Sequence, residues 1–125
     1  MIDRISTKFR NIYQLRYEHP EIACINPEYA YTYATIKKLD KFKLGESAIA
    51  TNPIHSMLYA YFVLNDRFEL SEPTIANSAF ESYRYAILVL KSRFYLGEQT
   101  TLLNENSKSF NSYFTNLYKQ YFKID

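Results

Sequence analysis

Apolar positions along this chain recur at steps of three and four, the spacing that places them on one face of an α-helix. Ile2, Ile5, Phe9, Ile12 and Arg16 share one such stripe, which predicts a helix over residues 2–17. Ser56, Tyr59, Ala60, Val63 and Leu64 trace another, and Ser82, Tyr85, Ala86, Val89 and Leu90 a third. Near the end, Phe110, Tyr113, Phe114, Leu117, Tyr121 and Ile124 mark a helix over residues 107–123, with Tyr118 and Phe122 adding apolar area beside the stripe.

The second and third stripes are copies of each other. Laid without a gap over residues 67–92, residues 41–66 are identical at Phe42/Phe68, Leu44/Leu70, Glu46/Glu72, Ile49/Ile75, Ala50/Ala76, Ser56/Ser82, Tyr59/Tyr85, Ala60/Ala86, Val63/Val89 and Leu64/Leu90. The unit begins again at Arg93, and Asn26-Pro27 and Tyr33-Ala34 anticipate it upstream. A period of this length is the mark of stacked repeats. The expected fold is therefore all-α, an α-solenoid-like stack of about four helix-turn-helix repeats in a single domain, 1–125. A helix at 1–17 caps one end, repeat units occupy 18–40, 41–66, 67–92 and 93–120, and the last helix caps the other end. Neither the short nor the long helix of a unit can bury its apolar face alone; stacking provides the missing surface.

Punctuation within the unit is equally regular. Asn26 before Pro27 and Asn52 before Pro53 read as an N-cap followed by proline in the first helical position, and Ser78 takes the same part. The long helices are expected over 28–42, 54–68 and 79–94. Gly45, Ser71 and Gly97 occupy one position, where a left-handed residue would close each long helix. Lys41, Arg67 and Arg93 then fall in its last turn, and Glu46, Glu72 and Glu98 in the first turn of short helices over 46–51, 72–77 and 98–103, each complementing a helix dipole. Residues 19–25 form a short segment opened by Pro20, and about two residues are inserted near 104–108.

Composition narrows the functional classes. Of 125 residues, 18% are aromatic, thirteen of them Tyr and nine Phe. Two glycines cannot build a phosphate-binding glycine loop or a dinucleotide fingerprint. The single cysteine, Cys24, excludes an intrachain disulfide and a cysteine-based zinc cluster, which suits a reducing cytoplasm; it reads as a small buried residue. No signal peptide and no membrane-length apolar run is apparent, so a soluble cytoplasmic protein is expected. A net charge of +2 does not by itself demand a nucleic acid or a membrane.

Candidate chemistry is sparse. His19 and His55 stand far apart and outside any two-ligand helical spacing, so neither metal nor cofactor is expected. His55 takes the place of Glu81 one unit earlier and reads as a surface residue. Glu46, Glu72 and Glu98 read as copies of one structural element, paired with Lys41, Arg67 and Arg93, and not as an acid–base constellation. The expectation is a non-enzymatic protein that binds another protein. Tyr29, Tyr31, Tyr61 and Tyr83 do not recur between units, so stacking does not account for them and they are the candidate contact residues. The alternative is RNA or single-stranded DNA binding through Arg4, Lys8, Arg10 and Arg16, and through Lys37, Lys38, Lys41 and Lys43, with tyrosines stacking on bases. Self-association through 107–123 is a further expectation.

The phrasing from Arg67 to Phe94 resembles a tandem helical repeat of tailed-bacteriophage and prophage accessory proteins. The matching positions are Arg67-Phe68, Glu72, Ile75, Tyr85-Ala86 and Val89-Leu90, with Lys41-Phe42, Glu46, Ile49, Tyr59-Ala60 and Val63-Leu64 beside them. The resemblance implies a small protein acting in the cytoplasm of an infected bacterium, where it binds and inhibits a host or defence protein. It implies no catalytic residues.

Overall fold

Why a tyrosine and a glutamate recur becomes clear from where each helix stops. A computed structural model describes residues 12–125, with side chains from Gln14 onward; most of the expected helix over 2–17 lies outside the described residues. All regular structure among the described residues is helical. It comprises α1 (Ile12–Leu15), α2 (Pro20–Ala23), α3 (Pro27–Ile36), α4 (Lys43–Ile49), α5 (Pro53–Leu58), α6 (Glu72–Ala76), α7 (Ala79–Arg84), α8 (Tyr95–Gly97) and α9 (Ser112–Phe122). Helices α5, α7 and α8 run on as π-helical segments over Tyr59–Leu64, Tyr85–Leu90 and Glu98–Leu102, and a 3-10 turn over Glu69–Ser71 leads into α6.

The starts of the long helices follow the expected chemistry. Asn26, Asn52 and Ser78 accept from the backbone N–H of Tyr29, His55 and Glu81 at 2.8, 3.0 and 3.2 Å. Each oxygen thereby satisfies one of the donors a helix start leaves unpaired. Asn111 does the same for α9, accepting from Tyr113 N–H at 2.9 Å.

Their ends do not. Among the described residues the left-handed ones are Lys38, Asn65, Lys91 and Lys123, at φ 54°, 51°, 55° and 56°, and neither glycine has positive φ. The long helices therefore stop at Ile36, Leu64 and Leu90, several residues before the expected Phe42, Phe68 and Phe94. Lys41, Arg67 and Arg93 lie beyond the helix ends and not in the last turn. Gly45 and Gly97 instead sit within the following helical turn, where the phenylalanine three residues earlier folds beneath them. A Cβ would stand 2.5 Å from the Phe42 ring at Gly45 and from the Phe94 ring at Gly97. The glycine answers a close approach and not a dihedral angle. In the middle unit Ser71 holds that place, its hydroxyl donating to Phe68 O at 2.9 Å.

These buried phenylalanines carry backbone N–H groups outside any helix, and an unpaired buried N–H is costly. The tyrosine of the next long helix supplies the acceptor. Tyr59 Oη accepts from Phe42 N–H at 2.7 Å and donates to Glu46 at 2.8 Å. Tyr85 Oη accepts from Phe68 N–H at 3.0 Å and donates to Glu72 at 2.6 Å. Tyr118 Oη accepts from Phe94 N–H at 2.9 Å and donates to Glu98. All three tyrosines are fully buried. Arg67 grips Glu72 with two bonds at 3.0 and 2.8 Å, and Arg93 grips Glu98 with two at 2.7 Å, the bidentate geometry in which such pairs are strongest. Lys41 forms no such pair with Glu46 among the described residues. A second recurrent bond ties the short helices: Ser56 and Ser82 donate to Ile49 O and Ile75 O at 2.9 and 3.0 Å, and Thr115 donates to Leu102 O.

The last unit thus keeps the same bonds with a longer connection. Tyr118 lies 24 residues from Phe94 where Tyr85 lies 17 from Phe68, so seven residues are inserted (24 − 17) and not about two. The expected stripe on α9 is accordingly rotated. Tyr118 and Thr115 are buried against the stack, while Tyr113 and Tyr121 face outward.

Two outcomes follow. Tyr85→Phe leaves the Phe68 N–H without its acceptor, and urea denaturation should show a loss of about 1–3 kcal/mol; a change within about 0.5 kcal/mol would mean the bond is incidental. Burial above all, and the carboxylate each one faces, push the phenols of Tyr59, Tyr85 and Tyr118 well above their ordinary range; the phenylalanine N–H offsets only part. The folded state therefore favours the neutral phenols. Their contribution is complete below the unfolded phenol pKa of about 10 and is lost as pH rises beyond it. Ultraviolet titration should find that these three tyrosines ionise only as helical circular dichroism collapses.

Candidate functional site

Each left-handed cap turns the chain through a short loop into the next short helix, so the long-helix ends and short-helix starts of successive units meet along one edge. Ridge packing places directly contacting helices about 8–10 Å apart, and α3, α5 and α7 with their π extensions contact one another in that order. The clefts between units therefore recur along the edge.

Two of these clefts adjoin at Phe62. One, of about 500 Å³, is lined by Tyr31, Ala34, Thr35, Lys38, Leu39, Asp40, Phe62 and Val63. The other, also about 500 Å³, is lined by Tyr61, Phe62, Asn65, Ile87, Leu88 and Lys91. Phe62 is the wall between them and is 63% exposed; Tyr61 meets it edge-on at 4.8 Å between ring centroids. A third depression, of about 440 Å³, shares Asp40 with the first and runs past Leu64 and Phe68 to Leu70. Leu70 belongs to a row set by the repeat: Leu44, Leu70 and Leu96 are 62%, 59% and 39% exposed, although two of them are identical positions of the duplicated unit. Large apolar side chains left in water at equivalent places are not required by the packing of the units.

The expected contact tyrosines divide. Tyr61 is exposed on this edge, and Tyr31 is half-buried, lining the first cleft with its ring 5.9 Å from that of His55. Burial pushes the Tyr31 phenol upward. Tyr29 is buried and carries the Arg16 guanidinium 4.8 Å from its ring, so it belongs to the core. Tyr83 is half-buried against Phe114 at 6.1 Å and packs α7 onto α9. Phe62 and the leucine row went unnoticed in the sequence. Its signal was available: Leu44 and Leu70 recur but fall off the helical stripe that carries the core.

The basic residues are also dispersed. Arg4, Lys8 and Arg10 lie outside the described residues. Arg16 is packed on Tyr17 and Tyr29, away from the exposed Lys37, Lys38, Lys41 and Lys43. Asp40 stands among those four lysines, and Asp66 and Glu69 follow on the same edge, so no unbroken cationic track runs along it.

Groups with chemical potential are engaged within the chain. The Cys24 thiol donates to Pro20 O at 3.1 Å, and burial, then Glu21, raises its pKa. His55 is half-buried, with Nδ1 3.1 Å from Asn52 Oδ1. Its counterpart Glu81 is buried and held by Arg84 at 2.6 Å. Burial opposes ionisation of Glu98, but the Arg93 bonds, the Tyr118 hydroxyl and the Arg93 charge together hold its carboxyl below the usual range. No group of three or more potential metal-ligating residues converges among the described residues, and no described helix is long and apolar enough to cross a membrane. Comparison with protein-family models, with curated proteins and with solved structures finds no match, so function is argued from this geometry.

Proposed function

We propose that this chain is a protein-binding module that receives its partner along the edge centred on Phe62. The observation that carries the reading is the placement of Phe62, a large aromatic held in water between two clefts by a scaffold whose own packing does not use it. Phe62 and Tyr61 form an exposed aromatic pair, and aromatic residues are enriched at protein interfaces. Because the clefts are bounded by capped helix ends, little side-chain or backbone ordering is needed on this side, which lowers the cost of association. In its most specific form the proposal makes the chain an inhibitor of a host or defence protein, the role suggested by the bacteriophage-like repeat.

Capture from bacterial cells with the intact chain, a Tyr61→Ala/Phe62→Ala chain and an Ile25→Ala chain tests this. Ile25 is comparably exposed but lies between α2 and α3. Mass spectrometry should find specific proteins depleted tenfold or more by the double substitution and retained by Ile25→Ala, with helical content unchanged. Identical protein sets from all three baits would contradict it.

A further inference from the structure

We infer that the edge takes an amphipathic α-helix whose apolar anchors lie seven residues apart and are flanked by acidic side chains. The inference rests on the protein-binding reading above and gives the partner its chemistry. The two clefts beside Phe62 belong to successive unit junctions, and the step between them is set by contact of the long helices, about 8–10 Å. Two anchors entering them must therefore stand about that far apart and point the same way. On an α-helix, residues i and i+7 are about 10.5 Å apart at 1.5 Å per residue and share a face. An extended strand offers same-face residues at about 6.6 or 13 Å, further from the middle of that range than the helix spacing.

The rim gives the sign of charge. Each cleft carries one lysine at the left-handed cap of its helix, Lys38 at the first and Lys91 at the second. Both are exposed and neither has an acidic partner among the described residues. Asn65, the cap between them, is neutral, and among the described residues Asp40 is the one acidic residue lining either cleft. A helix with carboxylates beside its anchors would meet both lysines, and one with basic flanks would place like charges against them. The lining offers buried Ala34 and Val63 to one anchor, and half-buried Ile87 with exposed Leu88 to the other, which suits Leu, Met or Phe.

A displayed library of 18-residue alanine-based helical peptides, randomised along one face, tests this against the intact chain. Binders lost with Phe62→Ala should be enriched in large apolar residues at a separation of seven with Asp or Glu beside them. Lys38→Glu/Lys91→Glu should weaken those peptides tenfold or more and reverse the preference towards basic flanks. Phe62-dependent binders with another spacing, or with basic flanks on the unaltered chain, would overturn the inference and leave the protein-binding reading standing. A library yielding no Phe62-dependent binder would overturn the helix assignment, and the cell-capture comparison would then decide the broader reading separately.

Discussion

A tyrosine hydroxyl bonded to the backbone N–H of a phenylalanine is the contact on which the rest of this structure depends. The phenylalanine must leave the helical path for its ring to fold beneath a glycine or serine, and doing so strands its amide in an apolar interior. The tyrosine of the following long helix answers that need from a fixed position. Its other hydrogen-bonding capacity goes to a glutamate at the start of the short helix, which Arg67 or Arg93 grips in the two later units. Each set joins three pieces of chain at one oxygen. Tyr59 and Tyr85 also set their rings against the next phenylalanine, at 4.9 and 5.1 Å, so hydroxyl and ring fix neighbouring units at once.

Repeating this contact has a consequence for the surface. The loops after the long helices are fixed at both ends, by the left-handed cap and by the clamped phenylalanine. Residues between and beside these points face water in a defined geometry. Phe62 and the leucines at 44, 70 and 96 are therefore presented beside fixed points of the chain, which would lower the entropic cost of the binding proposed for this edge. The network that stabilises the chain and the edge proposed to bind adjoin each other: the tyrosine hydroxyls of the first are buried and satisfied, while Glu46, Arg67 and Phe68 also line the third depression of the second.

Much of this architecture was legible in the sequence. The duplicated register exposed the unit, and Asn-Pro exposed the long-helix starts, because capping is a local matter of one side chain and one amide. The ends were not legible for the same reason inverted. Glycine after a helix usually signals a left-handed residue, yet here Lys38, Asn65 and Lys91 adopt that conformation, and Gly45 and Gly97 make room for a ring. Nothing local distinguishes those uses. The seven-residue insertion misled the α9 reading as well, because Tyr118 is recognisable as the partner of Phe94 and Glu98 only when the three-dimensional bond is known. The glutamates were rightly read as copies of one structural element, but their principal partner, the recurrent tyrosine, was seen only as a packing residue. Of the contact tyrosines, Tyr61 falls on the proposed edge and Tyr31 lines it. Tyr29 and Tyr83 lie elsewhere, packed on Arg16 and Phe114, because absence of recurrence does not separate an exposed residue from one serving a particular neighbour.

Amide hydrogen exchange at Phe42, Phe68 and Phe94 tests the central claim most directly. These amides lie outside the backbone ladder of the helices, so without the tyrosine bonds they would exchange on the timescale of the loops around them. The account predicts that all three are protected nearly as strongly as amides in the middle of α5 and α7, and that Tyr85→Phe releases Phe68 first. Rapid exchange at these positions in the folded, unaltered chain would contradict it.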